Sequence, residues 1–135
     1  CRMGDPETQP IMMRLQGDYA DTLLKAAQGQ LDQASISWDP RTALGVVMAS
    51  YNYPGTPRTG DVITGIPSAQ KDCVTFHAGS TLKNEQLLTS GGRVLCVTAL
   101  GDSVQQARET AYATVGQIKF DGQQYRSDIA WRALK

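Results

Sequence analysis

Residues 43–49 read Ala43-Leu44-Gly45-Val46-Val47-Met48-Ala49, an apolar run of strand length with no polar face to offer to water. Such a run fits a strand that is buried on both sides. It stops at Tyr51-Asn52-Tyr53-Pro54-Gly55-Thr56-Pro57, a stretch dense in turn formers, which predicts a long loop after the strand. Short strands are expected to continue over 61–66, 73–78, weakly near 86–89, and 93–100, at intervals typical of a compact antiparallel sheet or small barrel. Ser90-Gly91-Gly92 suits a hairpin connection, because glycine tolerates positive φ. One helix interrupts the strands: Asp102 or Ser103 caps it, and Val104, Ala107, Ala111 and Val115 line the face that covers the sheet before Gly116. Residues 118–120 read as a last edge strand and 127–131 as a final helical turn.

Upstream of this β-rich part the pattern is helical. Pro10 suits a first helical position, where its missing N–H costs nothing, and Ile11, Met12 and Leu15 give a short apolar face. Gly17 interrupts, Asp18 is a good N-cap with Asp21 three residues on, and Tyr19, Leu23, Ala26 and Ala27 recur at helical spacing until Gly29. Residues 32–39 read as a polar connector. The fold class is therefore α+β: two helices, or one broken helix, then antiparallel strands with one packed helix.

The chain has 135 residues, with thirteen Lys plus Arg balanced by thirteen Asp plus Glu. Zero net charge argues against a free-standing nucleic-acid or acidic-membrane binder, so any phosphate must be held by a few local groups. No apolar run approaches the ~20 residues that span a bilayer. Cys1, Cys73 and Cys96 are odd in number and lack CxxC spacing, and His77 is the single histidine, so neither a disulfide framework nor a zinc cluster is expected and a reducing, cytoplasmic setting fits. With neither an initiator Met nor a signal-peptide core at Cys1-Arg2-Met3, the chain is expected to be a fragment.

Gly4-Asp5-Pro6-Glu7-Thr8-Gln9 puts two carboxylates, a hydroxyl and a glycine into a turn that enters a helix, directly after Arg2. Such a set suits a ligand bearing phosphate and polar groups. By spacing alone it is equally ordinary helix-entry chemistry, since acidic residues near a helix N-terminus are favoured by its dipole.

The whole stretch from Cys1 to Met12, Cys-Arg-Met-Gly-Asp-Pro-Glu-Thr-Gln-Pro-Ile-Met, closely resembles the signature segment of the glycinamide ribonucleotide synthetase (phosphoribosylamine-glycine ligase) family of the ATP-grasp superfamily. Further similar motifs follow in order: Trp38-Asp39, residues 43–49, Tyr53-Pro54-Gly55, Gly60-Asp61-Val62-Ile63, Phe76-His77-Ala78-Gly79, residues 91–101, Asp128-Ile129 and Trp131-Arg132. Several short motifs in one order are far more specific than any one of them. The resemblance implies the ATP-driven ligation of glycine to 5-phosphoribosylamine, through a glycyl phosphate attacked by the amine. It also implies that residues 1–38 end an ATP-grasp domain and that 39–135 form a β-rich C-domain, small-barrel or sandwich-like, a rudimentary hybrid motif. ATP and Mg2+ (or Mn2+) are the implied cofactors, with their ligands mostly upstream of Cys1; the implied partners are glycine, 5-phosphoribosylamine, ATP and the missing N-terminal part of the same chain.

By the same resemblance Arg2, Gly4, Asp5, Pro6, Glu7 and Thr8 become candidate substrate-binding residues, joined by Arg93 in a loop reaching the substrate; for Gly91-Gly92-Arg93 a glycine hairpin with an exposed arginine is the equal alternative. His77 is expected to be a hydrogen-bonded structural residue and Cys73 and Cys96 buried core residues. Tyr53-Pro54-Gly55 is expected to shape a turn, with lining of the active-site mouth as the lesser alternative. The family usually has small residues, often a glycine pair, before Tyr53, whereas this chain has Tyr51-Asn52; asparagine partly imitates glycine at positive φ and tyrosine does not. The isolated chain is expected to be inactive. Two other functions compete: a non-enzymatic β-rich interaction module, predicting an exposed apolar patch around the first helices, and the C-domain of a biotin-dependent carboxylase, against which the Gly4–Gln9 segment speaks.

Overall fold

After a turn over residues 5–7, helix α1 (Thr8–Arg14) runs directly into a short strand β1 (Leu15–Gly17). The computed structural model describes residues 2–68 and 70–135, so Cys1 lies outside the described residues. Helix α2 (Tyr19–Ala27) starts where the Asp18 carboxylate accepts from the Asp21 N–H at 2.9 Å, the expected cap. A 3-10 turn (Leu31–Gln33) leads to β2 (Ile36–Trp38), which pairs antiparallel with β1. The connector expected over 32–39 is thus half of a two-stranded ribbon. All three residues of β2 are exposed, so no alternation of buried and polar positions marks it.

The apolar run becomes β3 (Thr42–Ala49). The loop after it is followed by β4 (Cys73–His77), β5 (Ser80–Lys83), β6 (Gln86–Thr89), β7 (Arg93–Gly101) and helix α3 (Val104–Gln117), whose cap is Ser103, accepting from the Gln106 N–H at 3.1 Å. A 3-10 turn (Trp131–Leu134) ends the chain, a little later than the helical turn expected over 127–131. The main sheet has the order β3-β7-β4, all antiparallel, and β7 is central. That position explains its composition: hydrogen-bonded on both edges and covered on both faces, it is buried from Val94 to Gly101.

Alternation along β3 divides the two faces. Leu44, Val46 and Met48 join Leu95, Val97 and Ala99 and meet Ala107, Ala111 and Val115 of α3 in the core. Of the four positions expected on the apolar face of α3, Val104 is the one only half-buried. On the opposite face α1 lies over β3 and β7, closely enough that a Cβ on Gly45 would sit 3.2 Å from both Pro10 Cγ and Cys96 Sγ. Cys73 and Cys96 are buried free thiols, and burial pushes the Cys96 thiol up.

Three expectations are corrected. Residues 61–66 form no strand: Ile63 donates to Leu87 at 2.8 Å and Thr64 to Lys119 at 2.9 Å, so the segment changes partner between adjacent residues and makes only single bridges, Val62 to Leu88 and Thr64 to Lys119. Residues 118–120 share the second of those bridges and form no edge strand. Ser90-Gly91-Gly92 does not close a hairpin, because β6 pairs with β5 and β7 with β3 and β4. The hairpin lies one connection earlier, at Asn84 and Glu85, whose φ values of 48° and 60° match the turn that fits strand twist.

Asp39 ties the first 38 residues to the sheet. Its N–H donates to the Arg14 carbonyl at 2.7 Å, and Arg14 Nε donates to the Asp39 carbonyl at 2.9 Å. Its carboxylate meets Arg41 at 2.8 Å, and Arg41 reaches on to Asp72 at 2.9 Å, just before β4. Hydrogen bonds from the Arg41 side chain and N–H hold the Asp39 carboxyl at about 2.

Candidate functional site

The turn before α1 is folded tightly on itself. The Thr8 N–H donates to the Gly4 carbonyl at 3.0 Å, and the Thr8 hydroxyl donates to the same oxygen. Gly4 is buried because the Glu7 carboxylate occupies the space that a side chain at position 4 would need. Gln9 Nε2 donates to Asp5 Oδ1 at 3.2 Å, leaving Asp5 Oδ2 to form an ion pair with Arg93 Nε at 2.8 Å. The two regions singled out in the sequence, the first turn and the Arg93 loop, therefore meet in space.

Arg93 reaches that position through an irregularity in the sheet. Met48 is opposite Leu95 and Ala49 is opposite Arg93, so Val94 has no partner on β3. An extra residue of this kind inverts the alternation beyond it. Leu95, Val97 and Ala99 face α3, and continued alternation would send Arg93 the same way; the bulge at Val94 turns it to the face of Gly45, Val47 and Ala49 instead. Val94 itself stays fully buried.

The glycines before Arg93 fit between neighbours. A Cβ on Gly79 would lie 2.8 Å from Gly91 Cα, and one on Gly92 would lie 2.6 Å from Cδ2 of the Tyr53 ring. The Gly92 carbonyl accepts from the Ser50 N–H at 2.9 Å, and Tyr53 N–H bonds the Ser50 carbonyl at 3.3 Å, so the loop after β3 is stapled to this point. The Tyr53 hydroxyl lies 3.5 Å from Arg93 Nη1. In that loop Asn52 takes the left-handed conformation, φ 67°, and its amide donates to the Thr56 carbonyl at 3.0 Å. Asparagine thus supplies what the family's glycine would. Tyr51 is not in the left-handed region; Arg58 covers its ring at 5.1 Å.

These elements enclose a cleft of about 480 Å³. Gly45, Val47 and Ala49 are its apolar floor, Pro6, Tyr53 and Arg93 line one side, and Gln124, Tyr125 and Arg126 the other. Arg126 is held by a two-pronged bond to Asp128, at 2.9 and 2.8 Å, and this contact lowers the Asp128 carboxyl. An apolar floor beside the two arginines suits a small ligand carrying an anionic group.

Of the expected site residues, Pro6 and Arg93 line the cleft and Asp5 pairs with Arg93 beside it, while Gly4 and Thr8 build the turn behind Asp5. Arg2 and Glu7 are exposed and do not line it. His77 is exposed, its Nδ1 2.9 Å from Ser80 Oγ. Tyr53, expected mainly as a turn residue, lines the cleft, and Tyr125 and Arg126 were not anticipated at all. The adjoining motifs Tyr53-Pro54-Gly55 and Asp128-Ile129 were the available signals for both sides.

Residues 43–132 match the family described as phosphoribosylglycinamide synthetase, C domain. The chain is 63% identical over its whole length to phosphoribosylamine-glycine ligase of Ralstonia nicotianae, and 53% identical to that of Escherichia coli O157:H7, again over 100% of the chain. In each case it spans 32% of the relative's length. A crystal structure of phosphoribosylamine-glycine ligase from Thermotoga maritima superposes with a TM-score of 0.74 at 32% identity, over 94% of this chain and 31% of that one. The antiparallel α+β fold is common to both, and the chain belongs to the phosphoribosylglycinamide synthetase C-domain family.

Proposed function

We propose that this chain is the C-terminal part of an ATP-dependent, cytoplasmic ligase that joins glycine to 5-phosphoribosylamine, giving glycinamide ribonucleotide, ADP and phosphate. Family membership and the names of the relatives support the reaction class. The observation that carries the site is the ion pair between Asp5 and Arg93 beside the cleft. In this reading residues 1–38 end the ATP-grasp domain and residues 39–135 form the small barrel-like C-domain. Arg93 receives an anionic group of the substrate, and the turn formed by Arg2, Gly4, Asp5, Pro6, Glu7 and Thr8 orients its polar groups, so that the amine and the acyl carbon are held in register.

ATP with Mg2+ or Mn2+ supplies phosphoryl activation of the glycine carboxylate when bound. Among the described residues no three His, Cys, Asp or Glu side chains gather to hold a metal ion. In this reading the ligands to nucleotide and metal lie mostly upstream of Cys1. No helix is long and apolar enough to cross a membrane.

The test is ADP release in the presence of ATP, glycine and phosphoribosylamine. The full-length ligase carrying this segment turns over, and the 135-residue chain alone does not; turnover by the chain alone would sink the fragment reading. A second reading, a non-enzymatic interaction module, is favoured by the exposure of Leu23, Leu24, Leu31 and Trp38. It predicts self-association, and a clean monomer in sedimentation at high concentration counts against it. In the ligase reading the same apolar side chains pack on the remainder of the enzyme.

A further inference from the structure

We infer that Tyr53 is a positioning residue: its ring, seated on Gly92, and its hydroxyl, beside Arg93, hold the Arg93 guanidinium at the cleft for an anionic group of the substrate. This rests on the ligase function proposed above. Arginine has several rotatable bonds and loses conformational freedom when a ligand fixes it. Here most of that ordering is done before binding. The backbone of Arg93 is fixed by the bulge and by the bond from the Gly79 N–H to its carbonyl at 2.8 Å. Its Nε is taken by Asp5 at 2.8 Å, and Nη1 lies 3.5 Å from the Tyr53 hydroxyl. The two contacts come from separate segments, one before α1 and one after β3, and act on different nitrogens of one planar group, so together they set its orientation.

Tyr53 is suited to the task by its own restraints. Its N–H is bonded to Ser50, and a Cβ on Gly92 would come within 2.6 Å of its ring. The absence of a side chain at position 92 is therefore what lets the ring lie there. The 3.5 Å hydroxyl contact is long, as expected for a bond that tightens when substrate arrives.

The full-length ligase is assayed with phosphoribosylamine generated from ribose 5-phosphate and ammonia, varying each substrate in turn. Arg93→Gln is expected to raise the KM for phosphoribosylamine by about 10- to 100-fold, as loss of a charged hydrogen bond does. Tyr53→Phe, which keeps the ring, is expected to raise the same KM by about three- to tenfold, with kcat and the KM values for ATP and glycine within about twofold. Gly92→Ala, which displaces the ring without touching Tyr53, is expected to reproduce that pattern. If Arg93→Gln leaves the phosphoribosylamine KM unchanged, the site itself is misassigned. If Arg93→Gln raises it and Tyr53→Phe does not, or Tyr53→Phe raises all three KM values equally, the positioning role is overturned while the site stands. Because Tyr53→Phe is nearly isosteric, the test survives even if Gly92→Ala fails to fold.

Discussion

Arg93 Nε and Asp5 Oδ2 lie 2.8 Å apart, so the turn that opens the chain is fastened to the first residue of its central strand. Both side chains remain partly in water, 44% and 35% exposed. An ion pair of this kind contributes about 1 kcal/mol or less, because water screens the charges and holding two side chains costs entropy. A double-mutant cycle of Asp5→Ala and Arg93→Ala, read by urea unfolding, is expected to give a coupling energy in that range. A coupling well above it would mean that the pair chiefly stabilises the fold.

Asp39 responds differently to pH. Its carboxyl is held at about 2, below the ordinary 3.8, by the side chain and N–H of Arg41. A depressed folded-state value favours the native state once the unfolded group is ionised, and that contribution disappears as pH falls through about 2. Asp39→Asn is therefore expected to unfold at lower urea than the parent chain at pH 7, with the difference gone near pH 2. A gap between the two midpoints that is the same at both pH values would contradict the assignment.

Close packing at Gly45 predicts a local effect. Gly45→Val would push branches against Pro10 and Cys96, where a Cβ alone already lies at 3.2 Å. Overpacking of this sort costs about 1–3 kcal/mol. Hydrogen exchange should quicken in α1 more than in α3; uniform acceleration in both helices would show that α1 is not the element displaced.

Leu95 and Leu82 form a matched pair of substitutions. Leu95 is 1% exposed in the core and Leu82 is 72% exposed on β5. Leu95→Ala is expected to cost about 2–5 kcal/mol and Leu82→Ala less than about 0.5 kcal/mol, measured by denaturant unfolding. Equal losses would require a partner surface over Leu82.

Elements with strong apolar patterns were legible before any coordinates. β3 and β7 are continuous apolar runs because the sheet is covered on both faces, and α3 carries its alanines at helical spacing. The β1–β2 ribbon escaped because Ile36, Ser37 and Trp38 are all exposed, so burial left no imprint on their order. The β5–β6 turn escaped because Glu85 adopts positive φ without the glycine that usually advertises it, while Gly91 and Gly92, which do advertise a turn, are small for the sake of Gly79 and Tyr53. In the site, Asp5 and Arg93 were each singled out, but their contact depends on a β-bulge and on α1 lying across the sheet. The Arg41 bridge between Asp39 and Asp72 is equally a product of folding, since no local pattern links positions so far apart.

The unpaired Val94 gives the cleft a parity dependence. Side chains on a strand alternate, so the count of residues between the core-facing Val97 and Arg93 decides whether a cation or an apolar side chain looks into the cleft. A regular ladder that kept Val94, set opposite Ala49, would ask the core to accept the guanidinium of Arg93, leaving the chain to choose between its interior and its ligand. The bulge, and not the strand's own alternation, thus keeps those two demands compatible.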